Sequence, residues 1–246
     1  MRLIRNLALT ILCLFIMPAL ATAGWWSLQE RPASWRNADW SSSGILPRAP
    51  QKDEAAIYVL AARTGGLKGA FSLHSWLVIK KPGANGYDRY DKVGWGTPIR
   101  HNAYAADGRW YSNAPYIVAS VTDADAARLI PKLEAAIADY QFSKRGDYHI
   151  WPGPNSNSFV AHVLRAVPEL GAKLPSNAVG RDYAPGFVSV DIAPDWLDLH
   201  VTFGGLAGFA VGLRSGIEFH FAGLVAGLDI AHPAIKVPAY GPVSLF

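Results

Sequence analysis

The chain has 246 residues, half of them hydrophobic, and a formal net charge of +4 at pH 7. That charge is too small to indicate a nucleic-acid partner, and the length suits one domain with an elaboration. Cys13 is the only cysteine and lies near the start. The rest of the chain therefore has no disulfide, thiolate metal site or cysteine nucleophile.

Residues 1–23 have the composition of a secretory signal peptide. Arg2 and Arg5 precede an apolar run over residues 7–20, and the small residues ATA follow at 21–23. The run is shorter than the roughly 20 apolar residues of a spanning helix, so the sequence favours cleavage over retention as an anchor. Cleavage would leave 223 residues and a net charge of +2. We therefore predict an exported protein, periplasmic or membrane-associated.

Residues 24–54 hold four tryptophans among prolines, serines and arginines, with no helical or strand periodicity. We predict an irregular arm whose tryptophans either pack on the body or lie at a membrane surface. Residues 55–246 are predicted to form a single globular domain.

Three strands are predicted from residue 55 onward. The segments AAIYVLAAR, AFSLHSWLVIKK and RYDKVGWG are separated by glycine-rich turns, which favours antiparallel pairing. In the second strand, a period of two places His74, Trp76 and Val78 on one face. The other face carries Leu73, Leu77 and Ile79.

Two helices and a β-rich tail complete the prediction. The segment TDADAARLIPKLEAAIADY has the apolar spacing of an amphipathic helix, and a second helix is predicted over about 156–167, ending before Pro168. The glycine-rich tail contains a predicted hairpin with a three-residue turn, and its charged residues exclude a membrane span. The fold class is therefore α+β, an antiparallel sheet with two main helices, a tryptophan-rich arm and a β-rich tail.

The stretch WPGPNSNSF, residues 151–159, places prolines and small polar residues directly before the second helix. Its side chains are good helix caps, and capping alone explains the stretch. Helical phase adds a second interpretation, because Ser156 points toward the packed face whereas Ser158 shares the outer face with His162. A hydroxyl at the positive end of a helix dipole can serve as a nucleophile if a base lies near.

His74 is the candidate base, because it interrupts an otherwise apolar strand. A hydrogen-bonded structural histidine is the alternative interpretation of the same residue.

The order of these segments resembles the circularly permuted papain-like group, which includes NlpC-type envelope enzymes and lecithin retinol acyltransferase relatives. The shared features are a strand histidine in LHSW, a polar residue on the next strand, and NSNSFV at the start of a helix. The resemblance implies a permuted papain-like core, with His74 as base and Ser156 in place of the nucleophilic cysteine. It also implies Asp91 as the residue that orients the histidine, with His101 as the fallback.

Residues 55–246 also resemble a bacterial family of unknown function, marked by WPGPNSN and a glycine-rich apolar tail. That family has no assigned activity. Around the predicted nucleophile and base, we expect Asn155, Trp151, Trp76 and His101 to contact substrate.

The leading functional hypothesis is amide or ester hydrolysis, or acyl transfer, in the cell envelope, with a cell-wall peptide or a lipid as substrate. A non-catalytic binding protein that keeps the groove is the alternative, and a membrane-surface protein with an exposed apolar patch is a third class. No cofactor is expected. No metal site is expected either, because the pairs Asp198/His200 and Glu218/His220 match no metal motif.

Overall fold

The computed structural model describes residues 1–48, 52–184, 186–193 and 196–246. Its α-helices are α1 (Arg2–Ser27), α2 (Asp123–Ala138) and α3 (Ser156–Ala166). The fold is mixed α+β, with two antiparallel sheets and an N-terminal helix.

The first sheet has five strands in the order β4-β3-β2-β1-β5, all paired antiparallel. The three strands predicted from the glycine-rich turns are confirmed as β1 to β3. The strand bounds are β1 Ala56–Arg63, β2 Leu73–Lys80, β3 Asp88–Lys92, β4 Ile99–His101 and β5 Tyr116–Thr122.

Both faces of the five-stranded sheet are covered, and the alternation along β2 assigns each side chain to its face. Leu73, Leu77 and Ile79 enter a core shared with α2 and α3. Trp76 and Val78 enter a second, more aromatic core on the opposite face. Because both faces are buried, every residue of β2 is buried, and the predicted division of faces is confirmed.

Helix α1 continues past the predicted cleavage position to Ser27, with a π-helical stretch over Leu12–Ile16. The helix is long and apolar enough to cross a membrane, and signal sequences share this length and composition. The helix is thus compatible with a signal peptide or a membrane anchor. Its second half packs on the body through buried Phe15, Ala19, Thr22 and Trp26, four residues on one helical stripe.

The second sheet has seven strands that follow one another in chain order, from β6 to β12. The predicted hairpin is present as β8 and β9, but the sequence did not predict a sheet of this size. The strand bounds are β6 Val188–Ile192, β7 Asp198–Phe203, β8 Ala207–Gly212, β9 Gly216–Phe221, β10 Leu224–Asp229, β11 Ala234–Val237 and β12 Gly241–Ser244.

Candidate functional site

A groove of about 430 Å³ lies where the first residues of β2 meet the first turn of α3. His74 lies on a strand and Ser156 begins a helix that packs against the same sheet, as predicted. Both residues line the groove, together with Asn155 and Trp151. The structure thus brings the two chemically important residues of the sequence prediction to one cavity, although they are 82 positions apart in the chain.

His74 forms a buried pair with Asp91 on the neighbouring strand. The Nε2 atom of His74 lies 2.8 Å from Oδ1 of Asp91, and both side chains are almost fully buried. Arg89 holds the same carboxylate through two hydrogen bonds, from Nε at 2.7 Å and from Nη2 at 2.8 Å. A bidentate guanidinium fixes the plane of the carboxylate, and the carboxylate in turn fixes the imidazole ring.

The environment sets the protonation of this pair. Burial raises the pKa of Asp91, but the Arg89 charge and hydrogen bonds from His74 and Arg89 outweigh burial and leave the pKa below its ordinary value. Burial lowers the pKa of His74, and Asp91 opposes that shift only in part. An ionised carboxylate only accepts hydrogen bonds, so Nε2 of a neutral His74 carries the proton. The lone pair of His74 is then on Nδ1, the position of a general base.

Trp110 fixes the histidine ring from its face. The two rings stack with centroids 3.6 Å apart and an interplanar angle of 5°. Trp110 also lines the groove, so it is both a support for His74 and part of the wall. No local sequence pattern predicts this role, because Trp110 lies in a loop between strands.

The first turn of α3 is capped by Asn155 and Ser158. The Asn155 side chain accepts from the backbone N–H groups of Asn157 at 2.9 Å and Ser158 at 3.2 Å. The Ser158 hydroxyl accepts from the backbone N–H of Asn155 at 3.1 Å, which completes a capping box. Capping therefore does not use the Ser156 hydroxyl.

One expectation about this turn is corrected, and Asn155 has a structural role in addition to its place in the groove lining. Ser158 is buried rather than on an outer face, because its hydroxyl donates to the Gly180 carbonyl at 2.6 Å. Asn155 uses its amide N–H groups on the carbonyls of Ile150 and Val179, so its side chain is committed to structure. The segment that contains Val179 and Gly180 covers this side of the helix, which helical phase alone does not reveal.

Ser156 itself is buried at the base of the groove. Burial raises the pKa of Tyr148 to about 12, and a hydrogen bond with the Ser156 hydroxyl opposes that rise. Within the described residues, no hydrogen bond joins Ser156 to His74. Both groups line the same cavity, and catalytic hydrogen bonds are often long before substrate binds.

Asn157 attaches the helix start to the sheet, a role that the sequence analysis missed. Its side-chain oxygen accepts from the Ser75 hydroxyl at 2.8 Å, and its amide donates to the carbonyls of Leu73 at 3.0 Å and Val179 at 2.9 Å. These bonds hold the residues on either side of His74 against the residue after Ser156. The bonds to Ser75 and Leu73 thereby tie the start of α3 to the strand that carries His74, and the bond to Val179 ties it to the covering segment.

Two of the proposed substrate contacts lie elsewhere. Trp76 is fully buried, donates to the Ala106 carbonyl at 2.9 Å and supports the Arg89 guanidinium 4.0 Å above its ring. His101 is half exposed and pairs with Asp88 at 2.9 Å, so it does not orient His74. Trp76 does not reach the groove because strand alternation places it on the face of the sheet that packs into the second core.

Lys92 is a further titratable group in the groove wall. Burial lowers its pKa to about 8, and the negative charge of Asp147 opposes that shift. Its ammonium group donates to the Phe142 carbonyl and lies 5.9 Å from the centroid of the Tyr148 ring. Lys92 is thus a second titratable group in the wall of the groove.

The fold and groove define an α+β protein with a buried histidine–aspartate pair beside a helix-start serine. A family model described as a protein of unknown function, DUF3750, matches residues 54–183, more than half of the chain. The chain therefore belongs to the DUF3750 family. The match covers the five-stranded sheet, α2, α3 and every groove residue named above, and it ends before β6. No curated protein and no solved structure matches the chain.

Proposed function

We propose that the groove is the active site of an envelope amide or ester hydrolase or acyltransferase. The observation that carries this proposal is the pairing of His74 with Asp91 through Nε2, in the same cavity as a serine hydroxyl that capping leaves unused. This arrangement supplies a base, a residue that orients it, and a nucleophile.

The proposed chemistry follows from these positions. The Ser156 oxygen attacks the substrate carbonyl carbon while Nδ1 of His74 takes the hydroxyl proton. The proton then passes to the departing alcohol or amine, and an acyl-serine ester remains on the protein. Water or an acceptor hydroxyl or amine attacks that ester with His74 again as base, which releases the acid or the transferred acyl product.

Asp91 and Arg89 stabilise the charged intermediate state of His74. The imidazolium that forms during the reaction keeps its hydrogen bond to an ionised carboxylate, and Arg89 keeps that carboxylate ionised. The role of Asp91 is therefore orientation and charge stabilisation rather than proton uptake.

A permuted papain-like core is part of this proposal. The sequence resemblance places the histidine before the nucleophile, and the structure has the strand histidine, the acid on the next strand and the helix-start serine in that order. Serine in place of cysteine makes the reaction depend wholly on the base, because a hydroxyl is not ionised by a helix dipole alone.

The walls of the groove favour a substrate with an apolar part. Phe71, Trp95, Tyr111 and Trp151 line it, and Lys68 beside them belongs to the turn Gly66–Ala70 that packs on α1. A membrane lipid and a cell-wall peptide both remain in the proposed substrate class, and proximity to α1 favours the lipid.

The alternative function is binding without chemistry. It is supported by the hydrogen bond of Ser156 to Tyr148 and by the lack of one to His74 among the described residues. In that case the aromatic walls hold a peptide or lipid, and the His74–Asp91 pair is structural.

Labelling with a fluorophosphonate probe separates the two functions. The proposal predicts that the purified full chain is labelled, that Ser156→Ala abolishes labelling, and that Ser158→Ala retains it when the protein is folded. Absence of labelling on the folded wild type, or labelling that survives Ser156→Ala, would support the binding function.

A further inference from the structure

The seven-stranded sheet has an apolar face that points away from the body. One row of outward side chains crosses neighbouring strands in register, through the pairs Val211–Ile217, Ile217–Leu228, Leu228–Ile235 and Ile235–Val243. These five side chains are 39–50 % exposed. We refer to them as the outward row. An exposed apolar surface this continuous is uncommon on a monomeric soluble protein and indicates a binding surface.

The inward face of the same sheet is polar. Glu218, between two outward residues of β9, is fully buried and ion-paired with Arg181, Lys173 and Lys236. Ser215 beside it is also fully buried, and its hydroxyl lies 2.6 Å from both Asp198 and His200. A half-exposed sheet in water normally buries its apolar face and exposes its polar face. Closed β-barrels in membranes have the reverse pattern, with apolar side chains facing lipid, and this open sheet shares that distribution of side chains.

Helix α1 contacts the end of this sheet that is opposite the outward row. The Phe15 ring is 5.6 Å from Phe221 at the end of β9, and the Trp25 ring is 5.5 Å from Tyr240, next to β12. The stretch Leu12–Ile16 also contacts β10. Phe219 and Ile217 follow Phe221 on the same face of β9 and are 54 % and 41 % exposed, so apolar side chains connect the α1 contact to the outward row.

The length of the apolar part of α1 determines how much of the helix must lie in the bilayer if α1 spans it. Arg2 and Arg5 belong at the aqueous end of a spanning helix, so the apolar segment starts near Leu7. From there to Leu14 is about 12 Å at 1.5 Å per residue, well short of a hydrocarbon core about 30 Å thick. A spanning α1 must therefore include its docked half, from Phe15 to Trp26, and Phe221 goes into the hydrocarbon with it.

We propose that α1 is retained and that the outward face of the seven-stranded sheet is in contact with the acyl chains of the same bilayer. The occupant of the apolar face is lipid, and the buried ion pairs hold the sheet to the body from the other side. This proposal does not depend on the chemistry of the groove.

Depth-dependent quenching in vesicles tests this placement. The full chain carries Cys13→Ala, which removes its only cysteine, and a single new cysteine at Ile217→Cys or Leu228→Cys bears the NBD fluorophore. The matched control is Arg128→Cys, on the exposed side of α2. Each protein is reconstituted into phosphatidylcholine vesicles with and without doxyl-labelled acyl chains.

We expect the probes at 217 and 228 to emit at shorter wavelength than the probe at 128 and to be quenched by the doxyl chains, while the probe at 128 is not quenched. Two positions on separate strands keep the test valid if one variant fails to fold. Equal, weak quenching at all three positions would overturn the proposal. A blue shift without doxyl quenching that grows with the protein-to-lipid ratio would also overturn it and assign the face to a second copy.

Discussion

The five-stranded and the seven-stranded sheets use the same period-two alternation but bury opposite faces. In β2 both faces are covered, and the buried polar side chains, which include His74, Ser75 and Lys80, are hydrogen-bonded. In β9 the charged Glu218 is inside while Ile217 and Phe219 are exposed. Alternation therefore defines the two faces of a strand but does not determine which face meets water. In the first sheet, the buried polar residues His74 and Asp91 belong to the candidate active site. In the second sheet, charged side chains are buried and apolar side chains are exposed.

The largest expected effect is the loss of the Asp91 carboxylate. Asp91→Ala leaves Arg89 buried without its charged partner, so we expect the free energy of unfolding to fall by about 3–5 kcal/mol. Asp88→Ala is the matched control, because Asp88 is on the same strand and also pairs with a histidine, but at an exposed position. That change should cost about 1 kcal/mol or less. Urea denaturation compares the two, and equal losses would contradict the assigned burial.

Replacing one leucine in each sheet compares how much the two sheets depend on apolar packing. Leu77 is fully buried between β2 and the helices, so Leu77→Ala should lower the free energy of unfolding by about 2–5 kcal/mol. Leu228→Ala, on the outward row, should cost less than about 1 kcal/mol in detergent solution because its side chain is half exposed. A Leu228→Ala cost as large as that of Leu77→Ala would mean that the outward face is packed against protein.

The two serines of α3 are expected to differ in stability and in chemistry. Ser158→Ala removes the capping-box hydroxyl and its hydrogen bond to the Gly180 carbonyl, so we expect a loss of about 2 kcal/mol in the free energy of unfolding. Ser156→Ala leaves the cap intact and removes the hydrogen bond with Tyr148, so it should cost about 1 kcal/mol or less. Thermal melts of both variants measure the difference. The reverse order would identify Ser156 as the functional cap.

The smallest expected effect is on the pH dependence of the fluorophosphonate labelling rate. Neutral His74 is the active form of the base, and burial lowers its pKa below the ordinary value of about 6.5. The fluorophosphonate labelling rate should therefore be level above that pH and should fall only as pH drops through the lowered pKa. A rate that instead rises through about pH 8 would assign the base role to Lys92, whose pKa lies there.

Much of the first sheet could be predicted because its signals are local. Glycine-rich turns bounded β1 to β3, alternation assigned Leu77 and Val78 to opposite faces, and the apolar spacing after Pro154 placed the start of α3. The position of Asp91 beside His74 followed from the resemblance and from strand adjacency. These features depend on neighbours within a few residues or on the next strand.

The remaining site contacts join distant segments, which local patterns do not encode. Trp110 reaches His74 from a loop, Gly180 covers Ser158, and Tyr148 meets Ser156 from an irregular segment. The seven-stranded sheet was missed for a different reason. The charged residues of the tail indicated only that it does not span a membrane, and the strand pattern carries no sign of partners from outside the sheet, such as Arg181 against Glu218.

The measurement that tests the central claim most directly is the thiol reactivity of a cysteine at position 156. In a Cys13→Ala background, Ser156→Cys places a thiol at a helix start in the cavity shared with His74, where a nearby base and the helix dipole lower its pKa. Ser158→Cys is the matched control, since that position is buried under Gly180.

We expect Ser156→Cys to react with iodoacetamide faster than a free thiol at neutral pH, and we expect the addition of His74→Ala to slow the reaction. Ser158→Cys should react slowly with or without His74. Reactivity at position 156 no higher than that of a free thiol, and unchanged by His74→Ala, would contradict the nucleophile–base assignment and leave the groove as a binding site.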